Sequence, residues 1–263
     1  MMRTLFILLF FLPLFAAAQL NQTDANGLRQ GHWEKKQDNG RLLYEGQFKD
    51  DKPVGEWKRY HPGGQLKALI EYRGDTAYTQ LFDVWKNKLA EGAYVNERKE
   101  GLWKIYTNNR LIADETYSGG VKNGVAHRYY DSGEVMEETH WQNGEQNGDY
   151  EVFYKNGDPY LQCKMKGGMR DGVFLVYFDN GRQEITASYK NNLRDGDWNY
   201  YNREGELRYT LHYNQGKLLN PQVRDSVDNL QMQELEQNKD VLLDPEKFME
   251  DPSKYMIKNR MNR

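Results

Sequence analysis

The chain has 263 residues, a formal net charge of −3 and a mean hydropathy of −0.96. Hydrophobic residues make up 38%, which is too little aliphatic material for one thick globular core, but the 13% of aromatic residues argues against disorder. The slightly acidic charge gives no basic surface for nucleic acid, so we expect no nucleic-acid partner. The one cysteine, Cys163, cannot form an internal disulfide or build a zinc site alone.

The first 18 residues have the layout of a secretory signal peptide. Arg3 precedes an apolar run from Leu5 to Phe15, and the small residues Ala16 to Ala18 follow it. The run of 11 residues is shorter than the roughly 20 that span a bilayer. We therefore expect cleavage after Ala18 and export to the periplasm or the extracellular space, with an uncleaved membrane anchor as the alternative. Residues 19–26 would then form an N-terminal linker.

A glycine recurs every 23 or 24 residues between positions 27 and 216. One step is 46 residues, twice 23, and Tyr78 stands where its middle glycine would fall. The pattern predicts eight repeat units, of which the third, residues 75–97, is degenerate. The anchor glycines are Gly31, Gly55, Gly101, Gly124, Gly148, Gly172 and Gly196.

Large rings follow each anchor at fixed offsets. At offset two stand Trp33, Trp57, Trp103, Tyr150, Phe174 and Trp198, with Ala126 as the exception. At offset five stand Tyr60, Tyr106, Tyr129, Phe153, Tyr177 and Tyr201. A second glycine follows at offset nine, often after Asn, and Asn-Gly between alternating runs predicts a two-residue type I′ hairpin turn.

Apolar and polar residues alternate after each of these turns, which indicates strands. Centring the hairpin on Asn-Gly places Trp33 opposite Gly46, and each anchor glycine opposite a large side chain, as in Gly55 with Tyr72. The fold class is therefore an all-β repeat: an elongated, single-layer antiparallel meander of about eight stacked hairpins. The rings at offset two are predicted to be structural, and so are the anchor glycines Gly31, Gly55, Gly124, Gly148, Gly172 and Gly196.

The unit G-x-W-x-x-Y-x-x-N-G, followed by an aromatic residue and a glycine at the seam between units, resembles MORN repeats. It is closest to the bacterial variant, in segments such as Gly196 to Tyr201. The resemblance covers about residues 27–216. It implies a non-catalytic repeat array, and bacterial proteins of this type are commonly catalogued as the antitoxin component of a toxin–antitoxin module.

Residues 217–263 break the glycine period and predict a short α-helical tail. The stretch from Gln222 to Asn238 reads as an amphipathic helix. Two Asp-Pro pairs farther on predict helical turns that carry Phe248 and Tyr255. The tail either caps the open edge of the last hairpin or serves as a separate docking peptide.

The sequence carries no recognisable catalytic pattern, so we expect no enzyme activity, no cofactor and no metal. Histidines His140 and His212 lie three units apart, which excludes a shared metal. A weak surface site at His127, Glu138 and His140 is the metal alternative, and solvated strand histidines are the simpler interpretation. Cys163 occupies a small inward position and is expected to be a packed thiol.

We define the even face of the sheet by the rings at offset two and the odd face by the column of rings at offset five. That column could shield the strands, or it could bind a protein partner, since tyrosine suits contacts that are half apolar and half wet. The leading hypothesis is an exported, non-enzymatic scaffold that binds an unidentified protein. The alternatives are an immunity protein that neutralises a toxin and a binder of cell-wall polysaccharide or membrane surfaces.

Overall fold

The computed structural model describes residues 20–237, so the predicted signal peptide and the Asp-Pro pairs lie outside the described residues. The chain forms two compact units. The first comprises the residues up to Gly148 together with Lys155–Gly157, and the second comprises Asp149–Tyr154 and the residues from Asp158 onward. Within the described part, eighteen strands and one helix are found.

The first unit is an antiparallel meander in which each strand pairs with the next one along the chain. Its strands are β1 (Gln22–Thr23), β2 (Arg29–Lys36), β3 (Leu42–Lys49), β4 (Lys52–Tyr60), β5 (Leu66–Arg73), β6 (Thr76–Phe82), β7 (Lys88–Val95), β8 (Arg98–Thr107), β9 (Arg110–Ser118), β10 (Val121–Tyr129) and β11 (Val135–Gln142).

The unit boundary falls within β12 (Glu145–Phe153), and the second unit continues as a meander of consecutive antiparallel strands. These strands are β13 (Pro159–Lys166), β14 (Met169–Tyr177), β15 (Gln183–Lys190), β16 (Leu193–Tyr201), β17 (Leu207–Asn214) and β18 (Lys217–Leu218). From β2 to β17 there are sixteen strands, the number that eight hairpins require. The all-β repeat prediction is confirmed.

The predicted register is confirmed as well, although the predicted turn type is wrong. Trp33 pairs with Gly46 and Gly55 with Tyr72, as expected. However, Asn39 does not have a positive φ, and the Gly40 amide donates to the Gln37 carbonyl at 2.9 Å. The turn is therefore a type I turn closed by a left-handed glycine, which shifts the register by one residue at the hairpin tip.

Type I′ turns lie instead at most of the seams between hairpins, and also at Asn108-Asn109, the tip of the hairpin formed by β8 and β9. There, two consecutive residues have positive φ, as in Asn191 and Asn192 at 49° and 64°. The seam pairs Gly119-Gly120, Asn143-Gly144 and Gly167-Gly168 also have positive φ at both residues. Such turns match the right-handed twist of the strands that they join.

A bulge interrupts the ladder at most of the described seams. Between β3 and β4, the single residue Gly46 lies opposite the three residues from Gly55 to Trp57. The anchor glycine at the bulge has a positive φ, which is 64° at Gly55 and 68° at Gly101. Glycine adopts this conformation at the lowest cost, because it lacks a Cβ.

The bulge allows each first-strand ring to lie over a small residue of the preceding hairpin. A Cβ added to Gly46 would overlap the indole of Trp57, and one added to Gly92 would overlap that of Trp103. The Trp103 Nε1 donates to the Ala93 carbonyl at 3.0 Å. The side chains that form the two buried apolar clusters lie on this even face: Phe48, Trp57, Ala68 and Ile70 in the first unit, and Cys163, Phe174, Val176, Trp198, Leu211 and Tyr213 in the second.

The third hairpin, β6 and β7, departs from this arrangement. Tyr78 replaces the anchor glycine and has no positive φ, and the ladder between β5 and β6 runs without a register shift. The even-face position is filled by Thr79, which is buried but has no ring. The degenerate third repeat is thus a regular hairpin that lacks the bulge and also lacks the ring that the bulge would position.

The helix α1 (Pro221–Gln237) confirms the predicted tail helix, and it begins one residue earlier because proline suits the first helical position. Val223 packs against the apolar cluster of the second unit. The Asn220 side chain accepts from the His212 amide at 2.8 Å and donates to the Thr210 carbonyl at 2.9 Å. Together with β18, Asn220 satisfies backbone groups at the outer edge of β17.

We expect Trp103→Ala to lower the free energy of unfolding by about 3–5 kcal/mol, since it empties a large buried site. Trp103 is 1% exposed, whereas Trp85, in the same compact unit of the chain, is 79% exposed. Trp85→Ala is the matched control and should change stability by no more than about 0.5 kcal/mol. Urea midpoints of the two variants measure this, and equal losses would contradict the assignment of the core to the even face.

Candidate binding surfaces

The odd-face column links neighbouring hairpins through side-chain hydrogen bonds. The Tyr106 hydroxyl donates to Glu91 at 2.5 Å, and the Tyr177 hydroxyl donates to Gln162 at 2.8 Å. In each case the acceptor lies fifteen residues earlier, on the second strand of the preceding hairpin. The same spacing joins Tyr60 to Glu45, Tyr129 to Asp114 and Tyr201 to Thr186.

Burial and the neighbouring carboxylate favour the protonated tyrosine. Burial, followed by the hydrogen bond to Glu45, raises the pKa of Tyr60 to about 12. Tyr106 is raised to a pKa of about 12 by burial and Glu91. The hydrogen bonds from Lys88 and Tyr106 lower the pKa of Glu91. Tyr106 and Glu91 therefore remain a neutral donor and an ionised acceptor across the neutral pH range.

All six side chains of the column, Tyr60, Tyr106, Tyr129, Phe153, Tyr177 and Tyr201, are half-buried. The five tyrosine hydroxyls contact neighbouring strands, so the column contributes to the cohesion of the sheet. The ring faces retain partial exposure, and their role in partner binding stays a prediction. Sequence reasoning placed this column correctly on one face but missed its acceptors, because each contact crosses a seam.

The histidine group that the sequence offered as the metal alternative has its side chains in contact, and it includes a residue that sequence reasoning missed. His127 contacts Asp114 through Nδ1 at 2.8 Å and Glu138 through Nε2 at 3.3 Å. His140 contacts the other oxygen of Glu138 at 3.1 Å. Asp114 is nearly buried and also accepts from Tyr129 at 2.5 Å. The register across the seam, which pairs His127 with Asp114, is the signal that could have found it.

A second group of potential ligands lies in the first hairpin. His32, Glu34 and Glu45 are half-buried, and their ligand atoms lie within 4.8 Å of one another. Glu34 and Glu45 face each other directly across the β2–β3 ladder. A nitrogen and two carboxylate oxygens at this separation are donors that zinc accepts.

Cys163 is buried in the second unit, as expected of a packed thiol. Burial raises its pKa, because the thiolate is disfavoured in apolar surroundings. Its sulfur lies 3.9 Å from that of Met165. This environment is that of a structural cysteine rather than of a nucleophile.

Both faces of the third hairpin carry open grooves. The even-face groove encloses about 700 Å³ and follows β6 over Ala77, Thr79 and Leu81, between Tyr72 and Tyr94. It occupies the place where other hairpins carry a ring. Its charged lining residues are Lys52, Arg59, Lys67, Asp75 and Glu97.

The odd-face groove of the same hairpin encloses about 570 Å³. Tyr78 and Leu102 line it and are 49% and 50% exposed. The carboxylates of Glu71, Glu91 and Glu100 also line it, together with one cation, Lys104. A surface that combines exposed apolar side chains with acidic groups can contact a partner that is both apolar and basic. Sequence reasoning marked this unit as degenerate but did not select it as a site.

The tyrosine–carboxylate pairs predict a loss of stability at alkaline pH. Because Tyr60 and Tyr106 have folded pKa values of about 12, above the ordinary 10.0, their contribution is complete below pH 10 and is lost as the pH rises through about 12. The double variant Tyr60→Phe with Tyr106→Phe should show a shallower decline of unfolding free energy over this range. Urea midpoints against pH measure it, with Tyr78→Phe as the exposed control. An unchanged pH slope would contradict the pairing.

One family model matches parts of this chain. The model of the MORN repeat variant matches residues 53–73 and 122–143. A search of curated proteins finds none that matches the chain. The helix α1 lacks the length and apolarity needed to cross a membrane, and it is the one helix found in residues 20–237.

Solved structures give only distant likenesses. One is the crystal structure of TarM, at 12% identity and a TM-score of 0.20, covering 56% of this chain and 21% of that chain. Another is a mutant of S. aureus TarM in complex with fondaparinux, alpha-GlcNAc-glycerol and UDP, at 12% identity and a TM-score of 0.17, covering 62% and 22%. The chain spans about a fifth of the length of either, and neither TM-score establishes a shared fold. The comparisons therefore show similarity to the MORN repeat variant at two places in this β-hairpin repeat chain.

Proposed function

We propose that this chain is an exported, non-enzymatic repeat scaffold that binds a protein partner at its third hairpin. The observation that carries the proposal is the coincidence of two open grooves with the one hairpin that lacks an anchor glycine. Repeat arrays present extended surfaces, and a departure from the repeat pattern marks a place where packing alone does not dictate the residues.

The chemistry of the described residues supports a binding role over catalysis. The Cys163 thiol is buried and its pKa is raised, and five tyrosines of the odd-face column are engaged with neighbouring strands. The exposed side chains Tyr78 and Leu102, by contrast, offer apolar surface to a partner. Exposed apolar groups of this kind, beside charged residues, are typical of protein interaction sites.

Export rests on the sequence of the first 18 residues, with its apolar run and the small residues before Gln19. The MORN repeat variant adds the hypothesis that the partner is a toxin, since bacterial proteins of this type are commonly catalogued as antitoxins. A toxin partner would bind the same third hairpin. The identity of the captured protein therefore separates the immunity role from a general scaffold role.

Co-purification from the native host tests the proposal. We expect the tagged mature chain, with Gln19 first by intact mass, to retain a partner that the double variant Tyr78→Ser with Leu102→Ser loses. The reason is that both changes remove exposed apolar contacts without touching the even-face core. The column variant Tyr129→Ala with Tyr177→Ala is the comparison and should keep the partner.

Two outcomes would overturn parts of this account. If only the column variant lost the partner while its chain stayed folded, the binding surface would be the tyrosine column and not the third hairpin. Equal recovery from all folded variants would contradict binding at either surface. A full-length intact mass in the cytosol would contradict export.

A further inference from the structure

In several hairpins, a lysine or arginine of the first strand lies over the aromatic rings of the even face. The Lys99 Nζ is 4.6 Å from the ring centroids of both Trp103 and Tyr117. The Arg194 Cζ is 4.5 Å from the centroid of Trp198. The same contact joins Arg29 to Phe48 at 3.8 Å, Lys122 to Trp141 at 4.7 Å and Arg170 to Tyr189 at 5.1 Å. A cation over a ring face is attracted by the negative charge of the π system.

These cations occupy an equivalent place in the ladder. In three hairpins the first strand carries the cation directly opposite the second-strand aromatic of the preceding hairpin: Lys99 opposite Tyr94, Lys122 opposite Tyr117 and Arg194 opposite Tyr189. Arg170 lies opposite Met165 instead. In the third hairpin this place is taken by Ala77, which pairs with Tyr72 on one side and with Tyr94 on the other. A methyl group therefore stands where these three hairpins place a positive charge, whereas the second hairpin places Pro53 there, opposite Phe48.

Tyr72 and Tyr94 consequently form two walls with a gap between them. They lie two strands apart, a separation of about 10 Å at roughly 4.8 Å per strand. Within residues 20–237, no cation lies over either ring and neither hydroxyl has a hydrogen-bond partner. Both rings line the groove of about 700 Å³, with Ala77 between them.

The charges around the gap favour a positive group at this end of the groove. Asp75 and Glu97 follow Tyr72 and Tyr94 into the adjacent seam turns, line the groove and are exposed. Among the described residues, neither carboxylate forms an ion pair. Lys52 is the cation that lines this same end, while Arg59 and Lys67 line the far end beside Leu81. Lys99, opposite Tyr94, is held over Trp103 and Tyr117.

We propose that a lysine or arginine side chain of the protein partner inserts above Ala77, between Tyr72 and Tyr94, and is met by Asp75 and Glu97. The inserted cation takes the place that Lys99, Lys122 and Arg194 fill in their own hairpins. Arginine fits best, because its planar guanidinium stacks on aromatic faces. This inference rests on the proposed scaffold function and specifies the chemistry of its partner.

Calorimetric titration of the mature chain with an acetylated Gly-Arg-Gly-Arg-Gly peptide tests the inference, with the citrulline peptide as an uncharged match. We expect the citrulline peptide to bind at least about tenfold more weakly. Ala77→Lys supplies the missing cation from the chain itself and should weaken arginine-peptide binding by about tenfold while the urea midpoint holds or rises. Ala77→Met, of similar length but uncharged, is the control and should weaken it less.

Tyr72→Phe should retain binding because it keeps the ring, and Tyr72→Leu should lose it. The inference would be overturned if the arginine peptide did not bind, or if the citrulline peptide bound equally well. It would also be overturned if a folded Ala77→Lys chain bound the arginine peptide as tightly as the natural chain does. If free arginine bound as tightly as the peptide, the ligand of the groove would be a small cation rather than a protein side chain, and the inference would be wrong. If the Ala77→Lys chain recovered the host partner as well as the natural chain does, the inference would be wrong, but the proposed scaffold function would still hold.

Discussion

The whole array depends on one backbone constraint, the left-handed conformation of the anchor glycine at each bulged seam. At such a seam three residues of the new hairpin face one residue of the old hairpin, as Gly55 to Trp57 face Gly46. The two extra residues carry the ring over the small residue and close the even face. Because rings such as Trp57 and Trp103 pack on the hairpin before them, each hairpin is stabilised mainly by its neighbours, as in other repeat proteins.

The third hairpin lacks this left-handed glycine, and its surface differs from that of the other hairpins. Tyr78 replaces the glycine, the ladder becomes regular, and the ring position is taken by Thr79. The absence of both the ring and the intrinsic cation at Ala77 opens the even-face groove. On the opposite face the same change brings the Tyr78 ring out to 49% exposure. A single irregular hairpin thus accounts for both grooves, which is why we place the binding function there.

The sequence predicted the strands and their register because the pairing depends only on the centre of each hairpin. Gly31 and Phe48 are equidistant from the Asn39-Gly40 pair whichever turn type closes the loop, so a wrong turn type left the register correct. The contacts across seams could not be predicted in the same way. The bulge shifts the register there by two residues, which hid both the acceptor of Tyr129 and the place of Asp114 beside His127.

The urea midpoint of Gly101→Ala tests this account most directly. Gly101 has a φ of 68°, and a Cβ built on it meets nothing within 4 Å, so the substitution isolates backbone conformation from packing. The account predicts a loss of about 1–2 kcal/mol, and a smaller loss for Gly101→Asn, since asparagine tolerates the left-handed region. An Ala variant as stable as the natural chain would show that the seam does not depend on a left-handed residue, and would contradict the account.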